Sequence, residues 1–231
     1  MDPLALMELQ ARTLFVHDES GAMVSINEPG GGPPPMLFLG RTPGSDLLCF
    51  RAGAPEALIR AVRAVVDGLA PWVAGVPSVS VVERLQAVLA GHGSMGTAHA
   101  GPAFVFPRPL VPPMGAMLLY PRHAHMLHPG LATLAPELRH RRPIYAVLRG
   151  GQAVSVCYSA RTTAEAAEAG VETVVEYRGQ GCAALAADAW AQEVRAKGRV
   201  PFYSTSWDNA ASLAVAGKLD LIALGEDIHL A

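Results

Sequence analysis

The residues whose types and spacing best suit chemistry form one short stretch, Arg178-Gly179-Gln180-Gly181-Cys182-Ala183. It follows residues 171–176, which are predicted as a strand, and it precedes residues 181–197, whose apolar spacing predicts a helix. The first N–H groups of a helix have no acceptor within the helix, and the helix dipole adds positive charge at that end. Glycine at 179 and 181 would let an anion approach this backbone closely. The stretch therefore predicts a phosphate-binding turn. The alternative is that Gly179 and Gly181 only form a tight strand-to-helix turn that binds no ligand.

A dinucleotide-binding pattern is one way to interpret this turn. Gly179, Gly181 and Ala184 satisfy G-x-G-x-x-A, the glycine-rich turn of such folds. The next predicted strand, residues 200–204, carries no acidic residue at its end that could hold a ribose. Only one further helix and one further strand follow, which is too little to extend a doubly wound sheet. The dinucleotide interpretation is therefore disfavoured.

A second pattern in the same turn is R-x-x-G-x-A, formed by Arg178, Gly181 and Ala183. It resembles motif A of the GNAT superfamily of acetyl-CoA-dependent N-acyltransferases. The resemblance covers about residues 143–231 and extends more loosely back to Gly101. Over this range a hairpin, a strand, the motif, a helix, a strand, an asparagine-led helix and a final strand occur in the family's order. It implies an α/β (α+β) fold with a mixed, mostly antiparallel sheet, whose central strand pair splays apart and is flanked by helices.

The resemblance also implies acetyl-CoA as co-substrate and no metal. In the family the pantetheine arm pairs with the strand that here spans residues 171–176, and the pyrophosphate binds the turn that follows. Gly181 would allow the phosphate oxygens to approach, and Arg178 would add a charge-assisted contact. The cofactor-binding residues that the resemblance implies are Val174, Val175, Arg178, Gly179, Gln180, Gly181, Cys182, Ala183 and Asn209.

Acyl transfer to an amine requires a base for the nitrogen proton and, in many enzymes, an acid for the leaving thiolate. Glu172 is the candidate base, because family members often use a glutamate near this strand position, and Glu176 is its rival. The family's usual acid is a tyrosine in the last helix, but alignment from Asn209 puts Ala216 at that position. Ser206 and Tyr203 are the other candidate proton donors. The family's helix-ending glycine aligns with Asp220.

Local patterns predict the elements around the turn. Residues 144–149 and 152–159 are predicted as a hairpin about Gly150-Gly151. A helix is predicted over residues 129–139 and another from Thr162 to Gly170, where Thr162-Thr163-Ala164-Glu165 matches a capping box. A helix over 209–218 and a strand over 221–224 complete the chain, and Trp190 is predicted to be buried.

The chain is predicted to have two regions. Residues 1–95 form an α+β region of unknown role, with helices over 57–69 and 79–90. Residues 101–231 form the GNAT-like domain.

Composition limits the partners. A net charge of −2 with both signs mixed gives no broad basic face, which argues against nucleic acid. The sequence has three widely spaced cysteines and no basic segment before its first apolar run, so neither a disulfide framework nor a signal peptide is predicted. No membrane span is expected, and a cytoplasmic protein is the default.

A histidine motif, H-x-H-x-x-H, is formed by His123, His125 and His128. It has no nearby carboxylates or cysteines, so a loop role is favoured over a metal site.

The sequence thus favours an N-acetyltransferase that transfers an acetyl group from acetyl-CoA to a primary amine of a small molecule or peptide. The alternative is a non-catalytic acyl-CoA-binding sensor or scaffold, motivated by Ala216 at the usual tyrosine position. A homodimer is possible.

Overall fold

A computed structural model describes residues 2–93, 97–107 and 115–231. The α-helices in these residues are α1 Pro3–Leu14, α2 Glu56–Val66, α3 Val79–Gly91, α4 Cys182–Ala196 and α5 Ala210–Lys218. The strands are β1 Phe15–His17, β2 Met23–Ile26, β3 Leu37–Arg41, β4 Asp46–Phe50, β5 Ala98–Val105, β6 Ala116–Leu118, β7 Ile144–Arg149, β8 Gln152–Thr162, β9 Ala166–Thr173, β10 Val200–Ser204 and β11 Ile222–Leu230. Short 3₁₀ helices span Pro121–Met126, Pro129–Leu134, Pro136–Arg139 and Val175–Tyr177.

The chain divides into two compact units. The first unit contains Met1–Phe104, Ser204–Ala210 and Ala223–Ala231, and the second contains Val105–Tyr203 and Ala211–Ile222. The first unit therefore combines the N-terminal region with two segments from the C-terminal part of the chain. The predicted functional division between residues 95 and 101 stays a prediction.

The first unit contains strands in the order β4-β3-β11-β5. β3 pairs antiparallel with both β4 and β11, and the leucines of β3 are fully buried. Helices α2 and α3 contribute Leu58, Val62, Leu85 and Leu89 to the same core. Both helices predicted in residues 1–95 are present as α2 and α3.

The second unit contains strands in the order β10-β9-β8-β7-β6. The neighbours from β6 to β9 pair antiparallel, and β9 pairs with β10 in parallel. The hairpin predicted about Gly150-Gly151 is confirmed as β7 and β8. Helix α4 packs against β7, β8 and β9. The short 3₁₀ segments between 121 and 139 form a core with β7 and β8 that contains Leu127, Leu131, Ile144 and Val156. This mixed, mostly antiparallel sheet flanked by helices is the predicted fold class.

Two helices predicted in the second unit are wrong. The segment predicted as a helix from Thr162 to Gly170 contains a tight turn at residues 163–165 and then the first part of β9. The Thr163 hydroxyl closes the turn by accepting from the N–H groups of Glu165 and Ala166 at 3.2 and 3.1 Å. A threonine can cap a turn as well as a helix, and the following alanines are buried in the sheet. Residues 129–139 form two short 3₁₀ helices, each opened by a proline.

Two predicted strands have different limits. The strand predicted over 171–176 begins at Ala166 and ends at Thr173, after which Val175–Tyr177 forms one 3₁₀ turn. The strand predicted over 221–224 continues to Leu230, because its later residues pair with β3 and are nearly all buried. Burial between neighbouring strands lengthens both strands beyond what the local pattern indicates.

Trp190 is fully buried on α4, as its helical spacing predicts. Its Nε1–H donates to Ser159 Oγ of β8 at 3.1 Å, and its ring centroid lies 5.9 Å from that of Phe106. We expect Trp190→Ala to lower the free energy of unfolding by about 3–5 kcal/mol, because it leaves a large cavity and an unpaired hydroxyl. Urea denaturation followed by circular dichroism measures this change. Leu185→Ala, on the exposed side of the same helix, is the control, and a loss for Trp190→Ala no larger than the control's would contradict the prediction.

Candidate active site

The predicted anion turn lies between the 3₁₀ helix Val175–Tyr177 and the first residue of α4. Gly181 is the N-cap of α4, with φ 79° and ψ 3°, and Gly179 has φ 73°. A side chain is strained in this left-handed region, so both positions suit glycine. The helix that follows begins with Cys182, which is buried, and its first turn contains no acidic residue. The N–H groups at this end of α4 therefore form a positively polarised site.

Three basic side chains surround the turn. The Lys218 ammonium, at the C-terminal end of α5, lies beside Gly181. A Cβ atom added at Gly181 would be only 2.5 Å from Lys218 Nζ. Arg149 Nη2 lies 3.8 Å from Cys182 Sγ. Arg178 folds back toward β9, where its Nε–H donates to the Thr173 carbonyl at 3.3 Å. Lys218 and Arg149 were not predicted as site residues, because neither is near the turn in sequence.

The strands β9 and β10 separate just before the turn. Their parallel register pairs Val200 with Ala166 and ends with Phe202 opposite Glu168. β9 continues for five more residues, still paired with β8 on its other side. The edge of β9 from residue 169 to 173 is therefore open on the β10 side. This is the splayed strand pair that the sequence resemblance implies.

The direction of the backbone groups on β9 follows from one hydrogen bond. Val174 N–H donates to the Val154 carbonyl at 2.9 Å, toward β8. Because antiparallel residues alternate in direction, Val171 and Thr173 turn their N–H and C=O groups toward the open side. The Val174 carbonyl also accepts from Tyr177 N–H at 2.9 Å, and Val175 is 67% exposed in the 3₁₀ turn. Val174 and Val175 stay predictions as cofactor contacts, whereas Val171 and Thr173 are additional candidates that only the register identifies.

Glu172 lies on β9 within the splayed part of the pair. Its Oε1 accepts a hydrogen bond from the Tyr158 hydroxyl of β8 at 2.9 Å. Burial and the neighbouring Glu172 carboxylate raise the pKa of Tyr158 well above its ordinary value, so this hydroxyl stays a donor. The rival base Glu176 is exposed in the 3₁₀ turn, where its carbonyl accepts from Gln180 Nε2 at 3.0 Å. The strand position therefore favours Glu172 over Glu176.

The two predicted proton donors have other partners. Tyr203 is 3% exposed, its hydroxyl lies 2.6 Å from Ser212 Oγ, and burial raises its pKa to about 12. Ser206 is in the first unit, where its hydroxyl donates to Asp208 Oδ1. Asn209, also in the first unit, donates its N–H to the Ser206 carbonyl at 3.1 Å. All three stay predictions as site residues.

Two residues that the sequence aligns with family positions lie in or just after α5. Ala216, aligned with the family's tyrosine, is 3% exposed on α5. Asp220, aligned with the helix-ending glycine, has φ 49° just after α5. Aspartate is among the residues that tolerate this left-handed conformation, so it can end the helix as glycine does.

The histidines of H-x-H-x-x-H bond to nearby backbone. The His123 and His128 Nδ1 atoms accept from Tyr120 and Gly130 N–H at 3.2 and 3.1 Å, and a His125 ring nitrogen lies 3.0 Å from the Arg122 carbonyl. Across residues 2–93, 97–107 and 115–231, no cluster of three or more His, Cys, Asp or Glu side chains could hold a metal ion. Among the helices of the same residues, none combines the length and the apolar character needed to cross a bilayer.

Comparison with known proteins finds a family model that matches part of this chain. Residues 145–223, which include the hairpin, β9, the turn and α4, match the family model of GNAT acetyltransferase. The sequence has no match among curated proteins. A GNAT-family acetyltransferase from Colwellia psychrerythraea aligns with a TM-score of 0.51 and 13% identity, over 79% of this chain and 75% of that one. That similarity shows the fold alone.

Two further solved structures were found with lower TM-scores of 0.48 each. A GNAT-family protein from Novosphingobium aromaticivorans is 21% identical over 57% of this chain, and the match spans 63% of its own length. A GCN5-related N-acetyltransferase-like protein from Streptococcus suis is 15% identical, over 98% of this chain and 99% of that one. The family match agrees with the fold: residues 145–223 of the present chain resemble GNAT acetyltransferases.

Proposed function

We propose that this protein is an N-acetyltransferase that transfers the acetyl group of acetyl-CoA to a primary amine of a small molecule or peptide. The observation that carries the proposal is the opening of the β9–β10 pair beyond Glu168, directly before the glycine turn at the N-terminus of α4. An extended thioester with a pyrophosphate at one end suits an open strand edge followed by an anion site. The family match over residues 145–223 supports the same conclusion.

The cofactor would bind along this open edge. Its pantetheine arm would pair with the backbone groups of Val171 and Thr173, and its pyrophosphate would accept hydrogen bonds from N–H groups between Gly179 and Ala183. Arg178 and Lys218 would supply positive charge at the phosphates. Because these contacts come from elements of one unit, they would hold the thioester in a fixed position beside Glu172.

The reaction needs one proton to leave the amine nitrogen. The neutral amine attacks the thioester carbonyl carbon, a C–N bond forms, the C–S bond breaks and the electron pair leaves with sulfur. Glu172 would take the nitrogen proton, directly or through water, and the thiolate would be protonated to give free CoA. For Tyr203 to be the donor, its hydroxyl would have to exchange its contact with Ser212 for one with sulfur. For Ser206, the contact to Asp208 would have to be lost.

Release of free thiol from acetyl-CoA across a panel of primary amines tests the proposal. We expect amine-dependent thiol release together with an N-acetylated product detected by mass spectrometry. Calorimetric CoA binding without turnover on any amine would instead favour a non-catalytic acyl-CoA sensor or scaffold. Failure to bind CoA at all would contradict both functions.

Lys218 gives a more local test of the phosphate site. We expect Lys218→Met to raise the KM for acetyl-CoA about tenfold with little change in kcat, because one charge-assisted phosphate contact is lost. Its effect should shrink as ionic strength rises, since salt screens exposed charges. Lys197→Met is the matched control, because Lys197 is paired with Glu193 at the other end of α4. Equal KM values in the two variants would contradict a role for Lys218 in phosphate binding.

A further inference from the structure

The hydrogen bond between Tyr158 and Glu172 depends on a glycine in the neighbouring strand. Tyr158 of β8 lies directly opposite Gly170 of β9, and a Cβ atom at Gly170 would come within 2.4 Å of the tyrosine ring. The ring therefore lies across the backbone of β9 at Gly170. The tyrosine hydroxyl then reaches Glu172, which lies on the same face of β9 two residues beyond Gly170 and is therefore the diagonal cross-strand neighbour of Tyr158.

A charged side chain also packs against Tyr158. The Arg141 guanidinium carbon lies 5.2 Å from the centroid of the Tyr158 ring, and Arg141 Nε donates to Glu137 Oε2 at 3.1 Å. Glu168, on the same face of β9, is buried two residues before Gly170. Tyr158 thus contacts Arg141 through its ring and Glu172 through its hydroxyl.

We propose that Tyr158 is a positioning residue for Glu172 in the acetyl transfer. The Tyr158 hydroxyl holds Oε1, so that the second carboxylate oxygen of Glu172 takes the amine proton as the C–N bond forms and the C–S bond breaks. Tyr158 keeps its own proton throughout this step. The inference rests on the proposed function, because it assigns Tyr158 to the same site.

Loss of the Tyr158 hydroxyl removes the donor that holds Oε1 of Glu172. The carboxylate then gains rotational freedom, so fewer molecules hold the base in the reactive geometry. The turn between Gly179 and Ala183 is unchanged, so cofactor affinity is expected to stay the same.

Steady-state kinetics of Tyr158→Phe test this inference. We expect kcat to fall about tenfold with unchanged KM for acetyl-CoA. Tyr145→Phe is the matched control, because Tyr145 lies on the neighbouring strand β7 and its hydroxyl also donates to a carboxylate, Oε2 of Glu193 on α4, at 3.4 Å. We expect the wild-type kcat in Tyr145→Phe.

A double-variant cycle separates positioning from general destabilisation. If Tyr158 acts through Glu172, adding Tyr158→Phe to Glu172→Gln should lower kcat little further. A wild-type kcat in Tyr158→Phe, or fully additive losses in the double variant, would overturn the inference while leaving the proposed function intact. Absence of turnover in the wild-type protein, with any amine, would overturn the proposed function and this inference together.

Discussion

Replacing Gly181 with valine is expected to weaken CoA binding by at least about 100-fold, a loss of about 2.7 kcal/mol or more. Gly181 has φ 79°, a conformation that a β-branched residue adopts only with strain of about 1–3 kcal/mol. The new side chain would also meet the Lys218 ammonium, since a Cβ atom lies 2.5 Å from Nζ. It would therefore cover the N–H groups that bind the pyrophosphate and displace a basic side chain beside them.

The Gly198→Val variant separates the anion site from backbone strain. Gly198 follows α4 at its other end with a similar φ of 76°, and a Cβ atom there would contact nothing within 4 Å. Both variants should lose comparable stability in thermal unfolding, but Gly198→Val should keep wild-type affinity for CoA in isothermal titration calorimetry. Unchanged affinity in folded Gly181→Val would remove the basis for placing the pyrophosphate at this turn.

Replacing Glu172 with glutamine is expected to lower kcat by about 10²–10⁴-fold, the usual contribution of a general base. Glutamine has nearly the same shape, and its amide oxygen can still accept from the Tyr158 hydroxyl. The fold and the affinity for CoA should therefore be retained, and only proton removal from the amine should be lost. Steady-state thiol release, with CoA affinity measured in parallel, distinguishes these effects.

Glu176→Gln is the control for the identity of the base. Glu176 is four residues beyond Glu172, exposed, and in the 3₁₀ turn rather than on the open strand. We expect its kcat to stay within about twofold of wild type, as for an exposed carboxylate with no part in the chemistry. A large loss in Glu176→Gln together with normal turnover in Glu172→Gln would transfer the base assignment to Glu176.

The turn and the hairpin could be predicted because their signals are local. Glycines at 150, 151, 179 and 181 all have positive φ, and each marks a bend that few other residues could make. The predicted helix from Thr162 to Gly170 was wrong for the opposite reason. Its alanines favour a helix in isolation, but Ala166 pairs with β10, Ala167 pairs with both β8 and β10, and both are fully buried. Pairing with neighbouring strands therefore determined the conformation of that segment.

The candidate site was predictable only where it is continuous in sequence. Arg178 and Gly181 belong to one motif, whereas Lys218 comes to the turn from a different helix and Tyr158 comes to Glu172 from a different strand. The side of β9 to which each backbone group points also depends on its register with β8, which a sequence pattern does not define. Lys218 and Tyr158 could therefore be recognised as candidate site residues only from the folded structure.

A crystal structure with CoA bound is the measurement that tests the central claim most directly. The account predicts density for the pyrophosphate within hydrogen-bonding distance of backbone N–H groups between Gly179 and Ala183, with the pantetheine arm along β9 at Val171 and Thr173. A well-ordered CoA whose pyrophosphate lies away from this turn would contradict it.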